Sequence, residues 1–244
     1  MNLAGKRALI TGAGIRLGRA LAEGLAGCGM ELALHYHRHG REAENLAKKI
    51  RARGGRAQTF GADLSLPTEA ERLAAEVEAG ESPIEVLVLS AALYPRESVA
   101  EITGDSMERT LRTNLVSPFL LARRLGLGMK HRGEGAILTL LDWSVDRPDP
   151  MYLPYQISKA GLREATYGLA LALAPEVRVN GIAPGAVLLP EGTSDAKRTR
   201  VQGATPLDRL GTPSDVVGAA LYLLGSAEFL TGVVLKVDGG RSLR

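Results

Sequence analysis

The chain of 244 residues has one cysteine, Cys28. A single thiol cannot close an internal disulfide, and the expected setting is a reducing, cytoplasmic one. Aromatics make up only 4% of the residues, so the core must be aliphatic and alanine-rich. No apolar run approaches the ~20 residues of a membrane-spanning helix. The first strand begins almost at Met1, so no signal peptide and no membrane partner are expected. Charge of one sign is also scarce. The net +3 comes from 30 basic and 27 acidic residues, too mild a balance for nucleic acid. It would at most help attract an anionic cofactor. Internal repeats and low-complexity tracts are missing too, and no metal is expected.

Hydrophobic residues reach 45% and glycines number 29. That suits one α/β domain over residues 1–244 with many tight turns. Arg7–Thr11 is a short apolar run with a sharp stop. It is followed by Thr11-Gly12-Ala13-Gly14-Ile15-Arg16-Leu17-Gly18 and an alanine-rich helix over Arg19–Ala26. In a strand–glycine turn–helix unit the backbone can approach a pyrophosphate, and the helix offers unpaired N–H groups.

Glu31–Tyr36 reads as a second strand, ending in His35-Tyr36-His37-Arg38-His39 with no acid before Gly40. An acid near this point holds a ribose 2′-hydroxyl, whereas an arginine accommodates a 2′-phosphate. The expected cofactor is therefore NADPH, held by Arg38 with one or more of His35, His37 and His39. The alternative is a solvated basic loop. Arg41–Arg53 is helical, and Arg56–Gly61 is a third strand. Asp63, before Leu64, suits either an adenine contact or a cap for a helix near Pro67. Ile84–Leu89 reads as a central strand buried on both faces. Ser90, Ala91 and Ala92 after it leave room for a cofactor.

Ser106–Arg132 reads as one long helix in which Asn114 is a polar break, with Pro118 four residues on. Asn114 either kinks the helix, holds a water near the site or is satisfied structurally. A fifth strand, Gly135–Leu141, delivers Asp142 and Trp143. The helix Tyr152–Ala174 carries Tyr155 and Lys159, four apart and on one face. An ammonium beside a tyrosine favours the phenolate and makes the hydroxyl an acid–base group. Strand six, Glu176–Ile182, leads to Pro184-Gly185. A long polar stretch over 186–210 reads as a substrate lid or a surface loop. A last helix over Ser214–Gly225 and a strand over Val233–Val237 complete a parallel sheet covered on both faces.

In order and spacing, the Thr11–Gly18 turn, Asp63, Asn114, Tyr155-x-x-x-Lys159, Pro184-Gly185 and Val237-Asp238-Gly239-Gly240 resemble the short-chain dehydrogenase/reductase family over nearly the whole chain. The resemblance implies a Rossmann-type, doubly wound seven-stranded sheet, hydride transfer with NAD(P), and a homotetramer. Three departures point to a subgroup, and two of them, Arg16 and Asp142, together with the His35-Tyr36-His37-Arg38 run and the ending Asp238-Gly239-Gly240-Arg241-Ser242-Leu243, look like pteridine reductases and the related bacterial dihydromonapterin and dihydrofolate reductases. Arg16 stands where the family turn has glycine. Leu89-Ser90-Ala91-Ala92 replaces Asn-Asn-Ala-Gly. Asp142 replaces the catalytic serine. This likeness implies a pterin or folate substrate, with Asp142 and Tyr155 as a proton-donating pair. Lys159 would hold the nicotinamide ribose, Asn114 would position the lysine through water, and Arg16 would contact pyrophosphate and substrate. Leu93, Tyr94 or Trp143 would supply the face against which the substrate ring lies. Two other readings remain open: a carbonyl reductase of the same fold, acting on a 3-oxoacyl thioester or small ketone, and a non-enzymatic cofactor sensor.

Overall fold

The run Ile84–Leu89 is nearly unbroken in its apolar character because both sides of the strand are covered. It forms β4 of a seven-stranded sheet ordered β3-β2-β1-β4-β5-β6-β7, all pairs parallel. The computed structural model describes residues 1–189 and 192–243. The other strands are β1 (Arg7–Ile10), β2 (Glu31–Tyr36), β3 (Ala57–Gly61), β5 (Gly135–Leu140), β6 (Val177–Pro184) and β7 (Val234–Val237). Alternate residues of β4 serve opposite faces. Val86 and Val88 pack with Leu21 and Leu25 of α1 (Arg16–Gly27) and Leu46 of α2 (Gly40–Ala52). Leu87 and Leu89 pack with Leu73 of α3 (Pro67–Glu78) and Leu121 and Leu125 of α5 (Ser117–Arg132). Fully burying each such side chain contributes about 1.5–3 kcal/mol.

The strand order reverses between β1 and β4. A crevice therefore opens at the carboxyl ends of these strands, where doubly wound sheets bind their ligands. Among the described residues no helix is long and apolar enough to cross a membrane.

The long helix expected over Ser106–Arg132 is interrupted. It runs as α4 (Gly104–Leu111), a π turn over Arg112–Val116, and α5. Pro118 has no N–H to give the carbonyl of Asn114 four residues earlier, which explains a widened turn at this point. A second π turn, Tyr222–Ser226, ends α8 (Pro213–Leu221). Strand β6 runs two residues past Ile182, to Pro184.

The stretch 186–210 is not simply a loop. It contains α7 (Asp195–Gly203), capped by Ser194, whose hydroxyl accepts from the Lys197 N–H. Only Val201 of this helix is buried, so it has no apolar stripe for a periodicity reading to find. Residues 190 and 191 of that stretch lie outside the described residues. The remaining helix, α6 (Leu153–Leu173), carries Tyr155 and Lys159 among its buried residues.

Candidate active site

The glycine turn is built for close approach. Gly12 has φ +67°, and a Cβ there would lie 3.0 Å from Ala91 Cα. A Cβ on Gly18 would collide with the Gly12 carbonyl at 2.1 Å. The Thr11 hydroxyl accepts from the N–H groups of Ser90 (2.9 Å) and Ala91 (3.0 Å), tying the turn to the end of β4. Helix α1 starts at Arg16 rather than Arg19. Its cap residue Ile15 supplies no side-chain acceptor, and no acid lies in the first turn. These first N–H groups, beside Leu17 and Gly18, suit an anionic pyrophosphate. Arg16 itself has φ +52°, the left-handed region usually left to glycine. Its guanidinium donates to the Leu188 carbonyl at 2.5 Å, joining the turn to the segment after β6.

The basic run after β2 divides into an inner and an outer part. His35 is still in the strand and only 1% exposed. Its Nδ1 accepts from the Gly12 N–H at 3.1 Å, and its Nε2 lies 3.0 Å from the Ala62 carbonyl. Burial lowers its pKa to about 4, against a smaller upward pull from Ala62. A neutral, enclosed ring cannot hold a 2′-phosphate, so the expectation for His35 is corrected: it fixes the glycine turn from inside. The Tyr36 ring lies across Gly40 and Gly61. His37, Arg38 and His39 are exposed. His37 Nε2 stands 3.5 Å from Asp63 Oδ2, and His39 Nδ1 stands 3.8 Å from Glu42.

Asp63 does not cap α3, whose cap position is Leu66. It accepts instead from the Ser65 N–H at 2.9 Å, closing a local turn. Leu64 is buried, and its carbonyl accepts from the Ser117 hydroxyl at 2.8 Å. Gly185, following Pro184, packs its backbone against Asp238, and a Cβ would lie 2.6 Å from Asp238 Cα.

Just beyond the carboxyl end of β5, Tyr155 donates its hydroxyl proton to Asp142 Oδ2 at 2.8 Å. Asp142 Oδ1 accepts from the Ser144 N–H at 2.8 Å, at the start of a 3-10 turn over Trp143–Asp146. Burial, reinforced by the Asp142 charge, raises the Tyr155 pKa well above its ordinary value. The phenolate expected from the adjacent ammonium is therefore not the resting form. The ring carries its proton and points it at a carboxylate. Lys159 is buried, with its ammonium 5.7 Å from the Tyr155 ring centroid. It donates to the Leu140 carbonyl at 2.5 Å. Burial pulls its pKa down to about 8, with Asp142 opposing.

Asn114 is fully buried and grips the backbone of Leu93 at both ends. Its Oδ1 accepts from the Leu93 N–H (2.7 Å), and its Nδ2 donates to the Leu93 carbonyl (2.8 Å) and to the Ser158 hydroxyl (3.0 Å). This grip delivers Tyr94 to the site. Its ring meets Tyr155 edge-on at 4.5 Å and stacks on Tyr152 at 4.6 Å. Trp143 lies under the Arg241 guanidinium at 4.9 Å. The sequence pattern missed Tyr152 and Ser144. Tyr152 sits three residues before Tyr155, which is the only signal that could have marked it.

A family profile described as enoyl-(acyl carrier protein) reductase matches residues 12–242. The chain is 33% identical to an L-rhamnose 1-dehydrogenase (NAD(P)(+)) of Azotobacter vinelandii, over 98% of each chain. It is 29% identical to glucose 1-dehydrogenase 2 of Bacillus subtilis, over 99% of this chain and 96% of that one. A gluconate 5-dehydrogenase of Burkholderia cenocepacia, solved with NADP and tartrate, superposes with a TM-score of 0.91 at 29% identity. That match covers 99% of this chain and 96% of the other. These relatives are named for sugars and sugar acids, not pteridines. Matched over nearly all of its length, with the glycine turn and the Tyr155/Lys159 pair in place, the chain belongs to the short-chain dehydrogenase/reductase family of NAD(P)-dependent oxidoreductases.

Proposed function

We propose that the protein is an NADPH-dependent reductase of a flat, nitrogen-containing ring of the dihydropterin or dihydrofolate kind. The carrying observation is the 2.8 Å hydrogen bond from Tyr155 to Asp142. When bound, the reduced nicotinamide supplies a hydride. The chain's own groups must then deliver one proton to the atom beside the carbon that receives it. A Tyr155 proton shared with a carboxylate suits a basic ring nitrogen. Any acceptor must take that proton in place of Asp142, but a carbonyl oxygen would gather its negative charge beside the carboxylate, which repels it. The Tyr94–Tyr152 stack offers an aromatic face next to the donor. Arg38 and His37 reach solvent where a 2′-phosphate would lie, and Lys159 has donor capacity left for the nicotinamide ribose. Leu93 and Arg16 remain substrate contacts in this reading, and 186–210 remains the lid.

The second reading is a dehydrogenase or carbonyl reductase acting on a small sugar or sugar acid. The names of the relatives favour it, and a sugar hydroxyl could donate to Asp142. A homotetramer is the assembly the family resemblance implies. The apolar residues exposed on α5 and α6, Phe119, Leu127 and Leu171, support it.

The test is NADPH oxidation by pure protein with dihydrobiopterin or dihydrofolate, beside a panel of sugars and small ketones. Turnover on the pterins that Asp142→Ala abolishes is expected. Turnover confined to the carbonyl panel, or surviving Asp142→Ala, would overturn the first reading. In the same assay Arg38→Asp should weaken NADPH by about ten- to a hundredfold, the loss of a hydrogen bond to a charged group, and leave NADH nearly unchanged.

A further inference from the structure

Tyr155 has a neighbour on α6 that no part of the proton-transfer reading has used. Gln156 is 6% exposed, and both ends of its amide are engaged. Its Oε1 accepts from the Asp149 N–H at 2.7 Å. Its Nε2 donates to the carbonyls of Ser144 (3.0 Å) and Arg147 (3.1 Å) and lies 3.1 Å from the Ser144 hydroxyl. The partner types fix the amide's orientation. Two are carbonyls, which only accept, and one is an N–H, which only donates.

These bonds close a ring around the carboxylate. Tyr155 holds Asp142 Oδ2 directly. Gln156 holds Ser144, whose N–H holds Asp142 Oδ1. Two adjacent residues of one helix thus pin the two oxygens of one carboxylate, one directly and one through the loop. A serine at position 142 would need no such grip, because a single hydroxyl can rotate towards its partner. A carboxylate presents the correct oxygen to Tyr155 only while its plane is fixed.

We propose that Gln156 is a positioning residue for proton transfer: by clamping the 144–149 loop it locks the carboxylate plane of Asp142 against Tyr155. This rests on the reading of Asp142 and Tyr155 as the proton-donating pair. Gln156→Glu keeps the acceptor for Asp149 but turns a carboxylate oxygen on the two carbonyls that Nε2 now serves. Gln156→Met keeps the volume and removes all four contacts.

The experiment measures kcat and KM for NADPH and substrate in the full-length protein. It uses dihydrobiopterin, or the member of the carbonyl panel that the wild type turns over, with folding checked by circular dichroism. Both variants should lower kcat by roughly 10- to 100-fold, the scale of an ångström-sized misplacement, with KM for NADPH unchanged. The alkaline limb of the kcat profile should move to lower pH, because a loosened Asp142 no longer raises the Tyr155 pKa. In an Asp142→Ser background Gln156→Glu should add little further loss. An equal loss in both backgrounds would reduce Gln156 to a fold-holding role and overturn the proposal. So would an unchanged kcat and an unmoved alkaline limb. Loss of activity in Asp142→Ala with Gln156→Glu unaffected would sink this inference alone. Full activity in Asp142→Ala would sink the reading beneath it.

Discussion

Along the strand direction, the amino and carboxyl edges formed by the strand ends each have a buried cation beside them and treat it differently. At the amino edge Arg7, in β1, is 1% exposed. One of its nitrogens donates to the carbonyls of Val77 and Ser82, both at 2.8 Å, and another to Gln58 at 3.4 Å. Its Nε forms an ion pair with Glu31 at 3.1 Å, without hydrogen-bond alignment. At the carboxyl edge Lys159 is as deeply buried, yet among the described residues its three donors meet one acceptor, Leu140. A buried charge is tolerated when surrounded by partners. Arg7 has them within the chain and is structural. Lys159 has room for more, as a group that completes its shell with a ligand must. Its pKa is lowered because burial penalises the charged form.

The largest effect that would sharpen this contrast lies at the carboxyl edge. Tyr155→Phe should lower kcat by on the order of 10³-fold, within the range of lost general-acid catalysis, while the thermal midpoint stays near wild type. A comparable loss of stability would mean that this edge is structural as well. Arg7→Ala should do the converse. Leaving the Val77 and Ser82 carbonyls without their donor, and Glu31 with Arg56 as its remaining cation at 3.3 Å, should cost about 3–5 kcal/mol in urea unfolding, with the kcat of the folded fraction retained.

The smallest effect concerns His35. Its folded pKa, about 4, lies below that of an unfolded histidine. Between these values the unfolded chain binds more protons, so stability rises with pH through this window and falls as acid is added. The loss should approach ~3 kcal/mol by the acid end, following the size of the shift. A His35→Asn variant should show a flatter urea midpoint from pH 6.5 down to 4. An equally steep acid slope in that variant would remove His35 from the explanation.

Much of the fold was legible because buried strands announce themselves. Glu31–Tyr36 and Ile84–Leu89 have the same ends in sequence and structure. The pattern failed where one residue decided the geometry. Periodicity carried the helix straight through Asn114, because a π turn inserts without changing composition. His35 read as a phosphate ligand because the run His35–His39 looks uniform, whereas it lies within the strand, one residue before its end, and is buried. The meeting of Asp142 with Tyr155 followed from Asp142 ending a strand, and that of Lys159 with Tyr155 from their helical spacing, whereas a proton-donating role for the pair came from the family resemblance. Tyr94 was visible as an aromatic, but its meeting with Tyr155 depends on Asn114 gripping Leu93, a contact between elements that no local pattern encodes. Family membership followed from the ensemble of motifs. The narrower pteridine assignment rests on Asp142 and Arg16, while the named relatives act on sugars.

The chain's one indole lies between Asp142 and α7. Trp143 follows Asp142 directly, and the guanidinium above it belongs to Arg241, which also donates to the Val201 carbonyl in α7 at 2.8 Å. With no second tryptophan to contribute background, its fluorescence is a built-in optical gauge. Movement of α7 that drags Arg241 from the ring would change the emission beside the proton donor, without any label added to the protein.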